Sequence, residues 1–318
     1  MRPLRPVRQC GFQLVELMIA MSLGLMLIGA FLAVLHHCQA LFARHESVAR
    51  LQDATRQALS VIVQDLEHAG FYGFTSNPAV SLVGPLPAGI DRCGRDFALD
   101  LASAVAAANN LYFTAADATD CAPTAVADGA RDGADTLTVR HASLATSSAL
   151  AGRLQIYGRR FESSSRVELF ADGHAPGPVD SDHEIRDVEI RTYYIANSSV
   201  DRPEWPALRV KALTESRGAA QFRDEEVMPG VEDLQVELGI RRAGSTLLEF
   251  VAADSPDLTA AHLVAVRLWL RIRADSTESG FLDDRALDYA DARFRPSARE
   301  SRQRRVLVSR TVALRNSG

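Results

Sequence analysis

One stretch constrains this chain more than any other. Phe12 to Leu35 is a run of 24 residues, FQLVELMIAMSLGLMLIGAFLAVL, in which Glu16 is the single charged side chain. At ~1.5 Å per helical residue the run spans roughly 36 Å, enough for a ~30 Å hydrocarbon core. Arg2, Arg5 and Arg8 precede it with no acid among them. That positive bias keeps the extreme N-terminus cytoplasmic and sends the remaining ~280 residues across the membrane. An ordinary secretory signal has the same basic start and apolar run, and Ala33 or Ala40 would offer a cleavage site. Glu16 argues against that reading, because an acid inside an apolar stretch costs about 2.5 to 3.5 kcal/mol to insert and is tolerated for a partner or a function.

The residues around that acid, Gly11-Phe12-Gln13-Leu14-Val15-Glu16-Leu17-Met18-Ile19-Ala20, resemble the type IV prepilin processing motif. The resemblance implies a prepilin peptidase that cuts between Gly11 and Phe12 on the cytoplasmic side, methylates the new amine and leaves the apolar helix on the protein. The chemistry is coherent by itself. A residue without Cβ at position 11 lets a protease approach the backbone. The amine freed at Phe12 and the carboxylate of Glu16 are opposite charges at similar membrane depth, and between subunits they attract by about 4 kcal/mol at ~4 Å and an effective dielectric near 20. The plainer alternative is a Glu16 that snorkels to the interface near the helix end.

No proline separates Pro6 from Pro78, and apolar residues recur at helical spacing through Leu41, Leu51, Leu59, Ile62 and Leu66. One helix from Phe12 to about Ala69 is expected, apolar all round at first and amphipathic afterwards, with Gly70 as its stop. His36, His37 and His45 flank the apolar run without acids or cysteines at ligand spacing, and read as interfacial or solvated side chains. Arg50 to Leu59, followed by Asp65-Leu66-Glu67-His68-Ala69-Gly70-Phe71-Tyr72-Gly73, resembles the PilW family of type IV pilus minor pilins. That family commonly carries Cys just after this pattern, where this chain has Phe74, so no disulfide transfers from relatives. Two later segments, Val227 to Gly239 and Arg304 to Asn316, carry the same resemblance.

Cysteines stand at positions 10, 38, 93 and 121, at spacings that match neither zinc nor thioredoxin-like sites. In an exported domain Cys93 and Cys121 are free to bond to each other, with two unpaired thiols as the other reading. Beyond residue 71 the chain reads as a loop-rich region to about residue 134, rich in Ala, Gly, Pro and Asp. In DGARDGAD, Asp128, Asp132 and Asp135 lack the remaining ligands of a calcium loop, so turn chemistry is the better reading. From residue 135 to 318 alternating or β-rich runs predict an antiparallel sheet: 135–141, 153–161, 166–170, 187–196, 207–213, 231–241, 263–274 and 305–314. In Val264 to Arg273 arginines alternate with apolar residues, which predicts one face toward a core and the other toward solvent.

The formal net charge is -5, and removing the three leader arginines leaves 32 basic against 40 acidic residues, or -8. No general cationic surface for nucleic acid is expected. The arginines from Arg293 to Arg315 form a local basic stretch that reads mainly as the solvent face of a last strand. No nucleophile elbow, zinc-protease helix or phosphate-binding loop occurs. Neither an enzyme nor a cofactor or metal is expected.

The sequence thus divides into a leader (1–11), a membrane and assembly helix (12–35), its amphipathic continuation (36–70), a variable region (71–134) and a β-rich periplasmic domain (135–318). The resemblance implies an α+β, pilin-like fold with the long helix packed on an antiparallel sheet. It implies an inner-membrane precursor that reaches a pilus as a minor pilin, priming or capping assembly. Expected partners are the prepilin peptidase, other minor pilins, the major pilin and the inner-membrane assembly platform, with twitching and adhesion as downstream roles. A type II secretion minor pseudopilin shares the N-terminus and the plan, and a membrane-anchored periplasmic binding protein or enzyme is the more distant alternative.

Overall fold

The computed structural model describes residues 14–73, 75, 79–86, 89–90, 93, 95–112, 129–159, 166–278 and 280–316. Gly11, Phe12, Cys121 and Asp128 lie outside them. The chain forms two compact units, one ending at Ala49 and one running from Arg50 to Gly318. Helix α1, Leu14–His68, contributes to both.

In the N-terminal unit α1 has no polar face before His36. Every described residue from Leu14 to Gln39 is exposed apart from half-exposed Gly24. In the second unit the pattern changes to a stripe at spacings of seven, four, four and three: Leu51, Ala58, Ile62, Leu66 and Ala69 are buried. The helix ends at a left-handed Gly70 with φ +75°, whose amide donates to the Arg140 carbonyl at 3.0 Å. The Asn316 side-chain amide donates to the otherwise open Ala69 carbonyl at 3.2 Å, so residues from the far end of the sequence cap this helix.

Among the described residues two main sheets follow. The first holds β1 (Ala79–Leu82), β2 (Val105–Ala108), β3 (Thr136–Ala142), β4 (Ala151–Arg159), β5 (Arg166–Asp172), β6 (His183–Ala196), β7 (Ala207–Ser216) and β8 (Ala219–Pro229). Its order is β1-β5-β4-β6-β3-β2, with β7 also on β6 and β8 on β7. The second holds β9 (Val231–Arg242), β10 (Glu249–Ala252) and β11 (Ala261–Thr277), with a separate hairpin of β12 (Leu287–Tyr289) and β13 (Ala292–Phe294), and then β14 (Gln303–Ala313). The order here is β10-β9-β11-β14, all antiparallel. In the first sheet β1, which lies outside the runs predicted as strands, pairs with β5 in parallel. A short helix α2, Arg95–Leu99, lies in the segment read from sequence as loops.

The largest buried apolar cluster joins the α1 stripe to Leu137 and Val139 of β3, Tyr193 of β6, Leu234 and Val236 of β9, Leu268 and Leu270 of β11, and Val312 of β14. A second cluster, with Tyr72, Cys93, Phe97 and Leu101, fills the space against β4 and β5.

On the arginine face of β11, Arg267 and Arg273 are partly exposed, and the sequence reading is corrected at one position, Arg271, which is buried beneath the β12–β13 hairpin. Its guanidinium lies 3.9 Å from the Phe294 ring centroid and bonds Glu232 at 3.2 Å, Asp233 at 3.4 Å and the Tyr289 hydroxyl. Alternation shows that two faces differ, and a polar face covered by paired charges carries the same alternation as a wet one.

Candidate assembly surface and its anchorage

The N-terminal unit offers an apolar helix surface that is exposed among the described residues. Leu14, Met18, Leu25, Met26, Leu27 and Phe31 are each between 65% and 75% exposed. A helix apolar on all sides and uncovered by its own domain takes its solvation from lipid or from other helices. It is long and apolar enough to cross a membrane. Glu16 lies in its first turn and is exposed. An acid there faces the positive end of the helix dipole, which stabilises the charge by about 0.3 to 1 kcal/mol. His36, His37 and His45 are exposed on the same helix, and Cys38 is an exposed free thiol.

The second unit holds the lower part of α1 through a buried polar joint that the sequence reading missed. Asp65 is 3% exposed and accepts hydrogen bonds from the Tyr193 hydroxyl at 2.5 Å and from Arg191 at 2.8 Å. His141 Nε2 lies 3.7 Å from the same carboxylate, while Nδ1 lies 3.0 Å from the Ala142 carbonyl. Burial lowers the His141 pKa, but Asp65, the Ala142 carbonyl and Glu189 outweigh it and leave the imidazole pKa raised. The available sequence signal was Asp65 itself, an acid on the buried stripe between Ile62 and Leu66.

The other sequence-predicted residues separate in space and in role. Cys93 is buried and disulfide-bonded, with Cys121 outside the described residues. Asp135 is buried and both its oxygens are taken by backbone amides, from Asn110 at 2.7 Å and Val236 at 2.7 Å. Asp132 is exposed, beside a turn in which the Ala134 amide donates to the Arg131 carbonyl. Among the described residues no group of three or more His, Cys, Asp or Glu is placed to hold a metal ion. Much of the C-terminal basic stretch is paired: Arg293 with Asp288, Arg299 with Glu204, Arg304 with Glu278 and Arg305 with Glu232. What reaches the surface there is mixed in sign.

The model of a family described as type IV pilus-assembly protein W, PilW, matches residues 192–316, from the middle of β6 to the Asn316 cap. No curated protein sequence matches the chain. Among solved structures, a type IV-like pilin from Thermus thermophilus aligns over 85% of this chain and 99% of its own, at 14% identity and a TM-score of 0.35.

Proposed function

We propose that this chain, whose residues 192–316 match the type IV pilus-assembly family, is a minor pilin anchored in the inner membrane by α1 and drawn from there into a filament. The family match carries the reading, since it separates a pilus component from an ordinary membrane-tethered domain. It also favours a pilus over a type II secretion system, whose pseudopilins share the N-terminal motif. An exposed apolar helix supports the same conclusion: it is soluble in lipid and equally able to pack among sister helices, so it serves for storage and for assembly.

In this reading prepilin peptidase cuts between Gly11 and Phe12 and methylates Phe12. Glu16 of the incoming subunit then pairs with the amine of a neighbour and sets its register. The domain from Arg50 onward is periplasmic, with α1 packed on the sheets in the pilin manner and a Cys93–Cys121 disulfide bracing the variable region. The role is structural, not catalytic. At low abundance the subunit primes or caps the filament, probing neighbours that include other minor pilins, the major pilin and the assembly platform.

Intact-mass analysis of protein extracted from membranes tests the core of the proposal. The expected mass is that of residues 12–318 with one added methyl group. A mature chain beginning downstream of Leu35 would sink it, because the assembly helix would have been discarded.

A further inference from the structure

A cleft of about 310 Å³ opens between the lower part of α1, the loop before β7 and the end of β11. Its floor is apolar, from Leu51, Ala54 and Met228, and its wall is the half-buried ring of Trp205. Two guanidiniums sit against that ring, Arg202 at 4.7 Å and Arg273 at 4.2 Å from its centroid. The acids of the cleft are mostly committed elsewhere. Asp275 pairs with Arg50 at 2.9 Å, and Glu226 accepts from the Ser199 hydroxyl and the Val200 amide, each at 2.8 Å.

The contrast with the other arginines is informative. Arg191, Arg209, Arg271, Arg304 and Arg305 each lie within ion-pair distance of a carboxylate. Arg273 and Arg202 do not, among the described residues. Arg273 donates to the Glu204 carbonyl at 3.1 Å, and its Nε has no partner. Burial pushes the Arg273 pKa down; the pull of Glu232 opposes it, and Arg305 and Arg131 add a smaller repulsion. A half-buried guanidinium with no carboxylate within ion-pair distance among the described residues can still take part in a charge-assisted pair.

We propose that this cleft is a binding site for a partner protein's acidic side chain, presented on an extended, otherwise uncharged peptide, with its carboxylate paired to Arg202 and Arg273 and its apolar neighbours on Leu51 and Met228. A polyanion fits less well. Asp201, Glu226 and Asp275 line the same cleft, so a chain of phosphates would meet repulsion there. The assignment goes beyond the pilus role and stands on the chemistry of the cleft, whether or not the chain enters a filament.

The test uses the full chain in detergent and four probes: a capped hexapeptide with one glutamate between two leucines, its glutamine counterpart, inorganic phosphate, and a single-stranded oligonucleotide. The glutamate peptide should bind about tenfold more tightly than the glutamine peptide, and Arg202→Gln and Arg273→Gln should each weaken it by about tenfold. Arg273→Lys should restore part of the loss, and Arg310→Gln, at an exposed arginine elsewhere, should change nothing. Equal binding of both peptides, or no binding, overturns the proposal, as does displacement of the peptide by phosphate or the oligonucleotide at equal concentration. Should Arg273→Gln lower the melting temperature, exposed Arg202→Gln decides: unchanged affinity there is also a refutation.

Discussion

At the scale of single residues, two acids on one helix have opposite environments. Glu16 is exposed in the first turn of α1, where the proposed reading pairs it with the amine of a neighbouring subunit. Replacing it with Ala should leave the protein processed and membrane-bound but poorly represented in sheared filaments, and normal incorporation of Glu16→Ala would refute the pairing role. Asp65 is buried and satisfied from within. Tyr193→Phe removes one of its donors and should destabilise the domain by about 1 to 2 kcal/mol in denaturant titrations. The joint also makes a pH prediction. His141 has a raised pKa in the folded state, so its stabilisation is full below the ordinary imidazole value and is lost as pH rises through the raised one. Burial likewise raises Asp135 from 3.8 to about 7, against two backbone amides that favour its charge. Its neutral form is favoured on folding, so it too removes stability as pH rises toward 7. The melting-temperature gap between wild type and His141→Asn should narrow as pH rises above the ordinary imidazole value, and the gap to Asp135→Asn should change mostly below about pH 7. Constant gaps would contradict both assignments.

At the scale of elements, helix ends and covered faces do most of the specifying. Gly70 holds φ +75°, and a Cβ there would lie 3.0 Å from the Asn316 carbonyl oxygen. Gly70→Ala should therefore cost about 1 to 2 kcal/mol, read as a lowered denaturation midpoint; an unchanged midpoint would mean that the turn is not fixed as described. The long helix, its end at Gly70 and the eight longer strands named from the sequence were legible because each carries a period long enough to stand out, 3.6 in one case and 2 in the other. β8 was not, since Arg223, Asp224, Glu225 and Glu226 crowd its register with charge. All four find ion partners on the sheet, Arg223 with Glu225, and Asp224 and Glu226 with Arg209, which local pattern does not reveal. β1, β2 and β10 are only four residues each and offer too few alternations. The cover on Arg271 was hidden for a different reason: it depends on Tyr289 and Phe294 returning from a hairpin far along the chain. Of the proposed site, Glu16 was visible because an acid in an apolar run is anomalous locally, whereas Asp65 and the Trp205 cleft exist only once distant strands meet.

For the whole molecule, the proposed pilin role raises the question of how many copies a filament would accommodate. The domain from Arg50 to Gly318 carries eight-stranded and four-stranded sheets, a hairpin and the segment around α2, much more than a shaft subunit needs to cover one apolar helix. In the proposed role so large a domain would fit poorly at every step of a tightly packed shaft, whereas a copy at an end meets neighbours on one side only. Starting a filament is also its least favourable step, because the first subunits leave the membrane before they have neighbours to bury against, as with any assembly whose nucleus makes fewer contacts than its growing end. A subunit with additional contact surface lowers that barrier and is needed only in small numbers. Deleting the gene should therefore remove most surface filaments while leaving the major pilin in the membrane, and expression at a small fraction of the major pilin should restore them. Labelling should mark filament ends and not their length. Filaments at wild-type number in the deletion strain would end the priming role, and uniform labelling along the shaft would end the assignment to an end.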